Sequence, residues 1–322
     1  MRVKRSRRPT DDRLIRQITI TLFTFSRVAL QELIETAARE YRARDLAEIQ
    51  IHIGDQYGGW RYLSSKAHRN FESVVLQQEV KRQLLNDTTE FLENERWYAD
   101  RGVPYRRGYL LYGMSDITGK SSSIHALASE LRLDVYIIPL SLKVINDSTL
   151  ADLVSNTPER CILLYEDIDV AFPNRSSNSA AGSCMNSRND PANSSGITLS
   201  GLLNTIDGVQ APEGRLLFAT TNHPELLDPA LSRPGRMDVK IEYRHATRWQ
   251  AKELFRLFYR PDPGAKKEPV DEYAEAFADS IPPGQFSIAQ LQGYLIQHKG
   301  YSERAAKEVS KWVEEALPGQ SR

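Results

Sequence analysis

A glycine-bearing turn that carries a lysine and a serine is the first pattern in the sequence with chemical meaning. The apolar strand predicted at 108–112 enters the segment LLYGMSDITGKSS, in which Lys120 and Ser121 open a predicted helix. A phosphate-binding loop needs this chemistry: backbone N–H groups surround the phosphates, a lysine reaches their outer oxygens and a hydroxyl binds Mg²⁺. Five residues separate Gly113 from Gly119, whereas the standard loop has four. By itself the motif also fits an ordinary strand–turn–helix with an exposed lysine.

A second pattern is an acidic cluster at the end of the apolar run CILLYEDID, residues 161–169. A carboxylate at the end of a buried strand can hold Mg²⁺ through water, and another can orient an attacking water. Acidic residues here could instead cap the next helix. Glu166, Asp167 and Asp169 form an unusually acidic group for capping alone. We therefore favour a catalytic role for this cluster.

The third pattern lies in the segment LLFATTNHPELLDPALSRPGRMD, residues 216–238. Asn222 ends a buried strand, where a neutral amide can hold a water or a phosphate oxygen without adding repulsive charge. Arg233 and Arg236 flank a Pro-Gly pair. Guanidinium groups stabilise the charge that spreads during phosphoryl transfer, often from a neighbouring molecule, although two surface arginines in salt bridges are the alternative. All three patterns occur in the order that one class of nucleotide hydrolase requires.

The three motifs can act together only if the fold brings the ends of their strands close to one another. The hydrophobic periodicity from Gly108 onward predicts such a fold. Apolar runs alternate there with helical stretches, at 108–112, 134–140, 161–165, 215–220 and 238–243. Near-continuous apolar strands of this kind favour an α/β fold with a parallel, five-stranded sheet covered on both faces. Ligands bind at the carboxyl ends of such strands, which is where the three patterns lie.

The segment before this core has a different pattern. Helical periodicity is present at 27–41, and alternating isoleucines at 49–53 precede a Gly58-Gly59 turn and a second short strand. Another amphipathic helix is predicted at 77–95. We therefore predict an N-terminal α+β domain and linker helix over residues 1–95.

Behind the core the sequence predicts only helices. Capping-box signatures begin at Thr247 and Ser287, each with a glutamine three residues later. This predicts a helical lid over 246–322, behind an α/β core over 96–245. Residues 174–195 are almost all Asn, Ser and small residues, so we expect a disordered insertion within that core.

Composition limits the remaining classes of function. Lys+Arg and Asp+Glu are both 42 in 322 residues, so the formal net charge is zero. This argues against a protein devoted to coating nucleic acid. Two cysteines cannot build a disulfide framework, and no apolar run approaches the ~20 residues needed to cross a bilayer. The basic N-terminus is either a solvated tail or a targeting or membrane-proximal segment.

The motifs together resemble the AAA ATPase family. YEDID is similar to its Walker B strand, TTNHPELLDPAL to its first sensor and SRPGRMD to its arginine-finger segment. The resemblance is closer still to the mitochondrial bcs-type chaperones, and it extends from about Arg16 to Val313. The segments that carry it are WYADRGVPYRRGYLLYG, NDSTLADLVSN, SGITLSGLLNTIDGV, EGRLLFATTNHPELLDPALSRPGRMDVK and FSIAQLQGYLIQHK.

The resemblance implies a role for each site residue. Glu166 would bind the metal together with Ser121, Asp167 would stand where the family has its catalytic glutamate, and Asn222 would be the sensor. Arg233 and Arg236 would act on the nucleotide of the neighbouring subunit. The loop residues that would hold ATP and Mg²⁺ are Gly113, Thr118, Gly119, Lys120, Ser121 and Ser122.

The resemblance also implies partners and a location. It predicts a homo-oligomeric, ATP-hydrolysing ring at the mitochondrial inner membrane, with its ATPase facing the matrix. Its protein client would be an iron–sulfur subunit of respiratory complex III, and no nucleic acid would bind. The family's transmembrane helix lies ahead of its N-terminal domain, so we expect membrane attachment only through a segment that this chain does not include.

Two other readings stay open, and the first rests on a departure from the family pattern. The phosphate loop is one residue too long, and Ile117 stands where the family has glycine. A catalytically impaired paralogue that acts as a structural or regulatory subunit is therefore the main alternative. A DNA-remodelling AAA machine is a third option, and the neutral net charge weighs against it.

Overall fold

The computed structural model describes most of the chain in nine segments. They are residues 2–10, 13–21, 31–37, 48–113, 119–141, 145–171, 196–209, 211–260 and 269–317. The predicted insertion at 174–195 and loop residues 114–118 lie outside these segments. The chain divides into two units, residues 1–48 and 49–322.

The first unit contains an antiparallel strand pair and a short helix. Strand β1, Arg2–Thr10, pairs with β2, Arg13–Thr21, from Arg2 opposite Thr21 to Thr10 opposite Arg13. The basic N-terminal segment, for which we expected a tail or targeting segment, thus forms β1. Helix α1 covers 31–37, inside the helix predicted at 27–41.

A seven-stranded sheet forms the centre of the second unit, so the five-strand prediction is wrong in number. Its order is β4-β3-β6-β7-β8-β5-β9. The two additional strands come from the predicted α+β region, because β3 pairs in parallel with β6, Ile51 opposite Val135. The strands are β3 Glu48–Gly54, β4 Trp60–Ala67, β5 Arg107–Tyr112, β6 Val135–Pro139, β7 Ile162–Glu166, β8 Leu216–Thr221 and β9 Val239–Glu242.

Helices cover both faces of this sheet. Successive side chains of β8 alternate between the faces: Phe218 packs in one buried cluster with Leu127, and Leu217 packs in the other with Leu150 and Ile206. Both clusters are apolar, which confirms the predicted sheet with two covered faces. The helices are α2 Gln78–Glu93, α3 Glu95–Arg101, α4 Lys120–Leu131, α5 Asp147–Ser155, α6 Ile168–Ala171 and α7 Leu199–Asp207.

The C-terminal region is helical, with a separate apolar core. Both predicted capping boxes form: the Thr247 hydroxyl accepts from the Gln250 backbone at 3.2 Å, and the Ser287 hydroxyl accepts from the Gln290 backbone at 3.2 Å. The helices are α8 Arg248–Phe258, α9 Val270–Asp279, α10 Ile288–Gln297 and α11 Ser302–Ala316. No helix among the described residues is long and apolar enough to cross a membrane.

Candidate functional site

Three neighbouring strands bring their carboxyl ends together at one edge of the sheet. Strand β8 lies between β7 and β5, and all three are parallel. Gly113 directly follows β5, Asp167 follows β7 and Asn222 follows β8. The three sequence patterns therefore meet at this edge, as expected for parallel strands.

Lys120 is held inside the site. It is the first residue of α4 and only 8% exposed, so it is not the exposed lysine of an ordinary turn. Its Nζ donates to the Gly113 carbonyl at 2.9 Å and to Asn222 Oδ1 at 2.8 Å. Burial lowers the pKa of Lys120, and the Asp167 and Asp169 charges oppose that shift. Both hydrogen-bond partners are uncharged, so the ammonium keeps its attraction for an incoming anion.

The two glycines of the predicted loop have backbones that disfavour other residues. Gly113 has φ +157° and Gly119 has φ +143°. A Cβ on Gly113 would lie 2.3 Å from the Tyr243 carbonyl oxygen, because the end of β9 packs directly on this glycine. Thr118, the remaining predicted loop ligand, lies outside the described residues.

The acidic cluster also has a distinctive backbone. Asp167 has φ +49°, a left-handed conformation that is uncommon outside glycine, and its N–H donates to Thr220 Oγ1 at 3.2 Å. Burial, and to a smaller extent the charge of Asp167, raises the pKa of Glu166. A bound cation would relieve both effects, because it favours the charged carboxylate.

Asp169 is a site residue to which the sequence patterns assigned no separate role. It is 6% exposed, and its Oδ1 accepts from Thr221 Oγ1 at 2.7 Å and from the Asn222 N–H at 3.4 Å. It therefore fixes the end of β8 and the residue that contacts Lys120. The sequence signal for this role of Asp169 is the Thr220-Thr221-Asn222 run. Because consecutive strand residues point to opposite faces, the Thr220 and Thr221 side chains can contact different acidic residues.

The residues available for a metal fit magnesium better than a protein-only metal site. Among the described residues, no group of three or more His, Cys, Asp and Glu side chains is arranged to hold a metal. Magnesium usually binds through one or two protein oxygens, phosphates and retained waters. Ser121 is exposed in the first turn of α4, Ser122 is half-buried beside it, and Glu166 ends β7 half-buried. These hard oxygen donors suit a magnesium–phosphate complex.

A cavity that sequence reasoning missed adjoins the start of α4. It has a volume of about 120 Å³, reaches Gly119 and is lined by Val75, Leu76, Gln250 and Ile288. Gln250 Nε2 donates to the Val75 carbonyl at 3.4 Å and connects the lid to the segment before α2. The cavity forms because residues far apart in sequence pack together beside Gly119.

The two predicted arginines have different surroundings. Arg233 is exposed, and its side chain has no hydrogen bond or ion pair within the part of the chain that is described. Arg236 donates through Nε to Asp207 Oδ2 at 2.5 Å and through Nη1 to the Ala230 carbonyl at 2.7 Å. Among the described residues, neither arginine has a hydrogen bond or ion pair to Lys120, Glu166, Asp167 or Asn222 of its own chain.

A parallel sheet whose carboxyl edge brings together a lysine-bearing turn, an acidic strand end and an asparagine is the arrangement found in P-loop ATPases of the AAA class. The AAA family model, described as "ATPase family associated with various cellular activities", matches residues 109–245. The "BCS1 N terminal" model matches residues 1–74, and the "Mitochondrial chaperone BCS1-like, ATPase lid domain" model matches residues 248–311.

Comparison with curated relatives identifies the family within the AAA class. The chain is 40% identical over 294 residues to "Probable mitochondrial chaperone BCS1-A" of Dictyostelium discoideum, covering 91% of this chain and 67% of the relative. It is 38% identical to "Probable mitochondrial chaperone bcs1" of Schizosaccharomyces pombe, covering 88% and 59%. It is 37% identical to "Mitochondrial chaperone BCS1" of Homo sapiens, covering 84% and 61%. The chain therefore belongs to the BCS1 family of AAA ATPases, and it spans about three-fifths to two-thirds of the length of these relatives.

Proposed function

We propose that this chain is the ATP-binding and ATP-hydrolysing part of a mitochondrial AAA chaperone. The buried Lys120 ammonium carries the proposal, because it lies at the carboxyl edge of the sheet and its hydrogen-bond partners among the described residues are neutral oxygens. A triphosphate would replace these weak partners with charged ones. The positive end of α4 adds to the attraction.

Each residue of the site has a proposed task. Lys120 and the loop at 113–122 hold the phosphates of ATP, and Ser121 and Glu166 hold Mg²⁺. Bound Mg²⁺ would neutralise the charge that develops on the phosphates. Asp167 orients the attacking water, and Asn222 holds that water or a γ-phosphate oxygen. The cavity beside Gly119 accepts the nucleotide base.

The arginine segment is proposed to complete the site of a neighbouring subunit. Arg233 is exposed and separate from the lysine site of its own chain, which suits action on a second copy. A homo-oligomeric ring follows from that arrangement. We divide each subunit at residues 95 and 245 into an N-terminal domain, the AAA core and the lid.

The location is proposed from the relatives, several of which are named mitochondrial chaperones. From the family resemblance of the sequence we infer a folded protein client in respiratory complex III assembly, an iron–sulfur subunit. The place of action would be the inner membrane, with the ATPase in the matrix.

ATP turnover by the purified protein tests the proposal. We expect Mg²⁺-dependent release of phosphate that is lost in Asp167→Asn, while ATP still binds. A protein that binds ATP without turnover would favour a structural or regulatory subunit. A matched variant in which Pro-Pro-Gly-Thr replaces residues 114–118 locates any defect in the lengthened loop, where a β-branched residue disfavours positive φ. We expect that variant to bind ATP about tenfold more tightly, a difference of ~1.4 kcal/mol.

A further inference from the structure

The loop that carries the two arginines is held at its base and exposed at its crest. Leu231 and Met237, which flank it, are buried, and the Met237 N–H donates to the Leu231 carbonyl at 3.2 Å. This closes residues 231–237 into a narrow loop. Arg233 lies near its exposed crest and Arg236 near its base.

Two contacts hold the base at Arg236. The ion pair to Asp207 is partly shielded from solvent, since the Arg236 side chain is 15% exposed and the Asp207 side chain 34%. The backbone of Arg236 is held as well: a Cβ on Gly108 of β5 would fall 1.8 Å from the Arg236 carbonyl oxygen. Main chain thus packs against main chain, with no room for a side chain at Gly108.

The partner of Arg236 is itself held in place. Asp207 is the last residue of α7, and Arg106 binds the carbonyls on both sides of it, Ile206 at 3.3 Å and Gly208 at 3.4 Å. Asp207 therefore presents its carboxylate from a braced helix end. To reach another subunit, Arg236 would have to give up this carboxylate and the Ala230 carbonyl.

We propose that the two arginines have different tasks, a conclusion that rests on the trans-acting segment proposed above. Arg233 contacts the nucleotide of the neighbouring subunit. Asp207 and Arg236 are positioning residues that set the height and direction of the loop, so that Arg233 reaches its target.

The Asp207→Asn substitution separates this proposal from one in which Arg236 itself acts in trans. Loss of the carboxylate loosens the loop, so we expect kcat for ATP to fall about fivefold to tenfold while KM stays within about twofold. If Arg236 were the acting group, the substitution would release it, and turnover would stay the same or rise. Unchanged or increased kcat therefore overturns the proposal.

A double-mutant cycle and a conservative variant complete the test. Once either Asp207→Asn or Arg236→Gln has broken the pair, we expect the other substitution to add less than twofold, since one contact has been lost. Asp207→Glu should recover part of the lost kcat. Losses that multiply, or no recovery in a folded Asp207→Glu protein, contradict a positioning role.

Two controls separate failure of this inference from failure of the proposed function. Glu213→Gln removes a nearby, half-exposed carboxylate at 3.8 Å from Arg106 and should leave kcat unchanged. Wild-type protein without turnover would refute the proposed function. Wild-type turnover that persists in Asp207→Asn would refute only the division between the two arginines.

Discussion

The two sides of the candidate site hold their charged groups in opposite ways. On the phosphate side, Lys120 is buried and bonded to neutral oxygens, and Asp169 is buried beneath Asn222. On the arginine side, Arg236 is held in a partly shielded ion pair and Arg233 is exposed. A group that serves its own subunit can be preorganised in a dry pocket, because that pocket is complete. A group that serves a second subunit must stay accessible until the subunits meet.

Among the expected effects, loss of Lys120 should reduce ATP turnover the most. Lys120→Ala removes a preorganised cation from the buried side, so we expect turnover to fall by at least ~100-fold. ATP binding should weaken as well, because the ammonium meets the phosphates in the ground state. Phosphate release and ATP titration measure the two effects. Lys311→Ala, at an exposed lid lysine, is the control and should match wild type; if both variants matched it, Lys120 would have no role in binding or hydrolysis.

Gly108→Ala should displace the arginine-bearing loop while leaving ATP binding on the phosphate side intact. The added Cβ would collide with the Arg236 carbonyl, and a rigid backbone contact of this kind costs about 1–3 kcal/mol. We expect turnover to fall about tenfold or more, with ATP affinity within about twofold. Gly293→Ala is the matched control, because nothing lies within 4 Å of a Cβ there. Equal loss of ATP affinity and turnover in Gly108→Ala would mean that the two sides are not independent.

Asp169→Ala should damage the phosphate side through Asn222. It leaves the buried Thr221 hydroxyl without its acceptor, at about 1–3 kcal/mol in unfolding free energy. We expect turnover to fall roughly tenfold as Asn222 loses its orientation, and Asp169→Asn to retain more activity because its Oδ1 can still accept. Denaturant unfolding and phosphate release measure both effects. Asp100→Ala makes the same change at an exposed site; similar behaviour of both alanine variants would contradict this role for Asp169.

The smallest expected effect is a pH dependence from His125 on α4. Burial, aided by the charges of Lys66 and Arg69, lowers the pKa of His125 to about 4. An unfolded histidine takes up its proton near pH 6.5, so the unfolded state binds more protons between pH 6.5 and 4. Stability should therefore be full above pH 6.5 and decrease as pH falls towards 4. His125→Gln should flatten part of this slope in thermal unfolding measured across this pH range. An unchanged slope in His125→Gln would show that another group is responsible.

The sequence by itself determined which kinds of side chain the candidate site contains and where they lie relative to the nearest strand or helix. Strand ends, helix starts and both capping boxes follow from patterns within a few residues. Lys120 begins α4, Glu166 ends β7 and Asn222 directly follows β8, as those patterns predict. Such features are local because they depend on backbone periodicity and on hydrogen bonds between near neighbours.

The tertiary structure decided the number of strands, the role of Asp169 and the difference between Arg233 and Arg236. Each depends on contacts between distant parts of the chain: Lys120 and Asn222 are 102 residues apart, Asp169 and Thr221 are 52 apart, and Asp207 and Arg236 are 29 apart. Local pattern cannot report such pairs, because the same residue types at the same spacing occur in buried and exposed settings alike. Arg233 and Arg236 look equivalent in the segment SRPGRMD. The packing of α7 and β5 against the loop distinguishes them: Arg236 is ion-paired to Asp207, whereas Arg233 has no side-chain partner among the described residues.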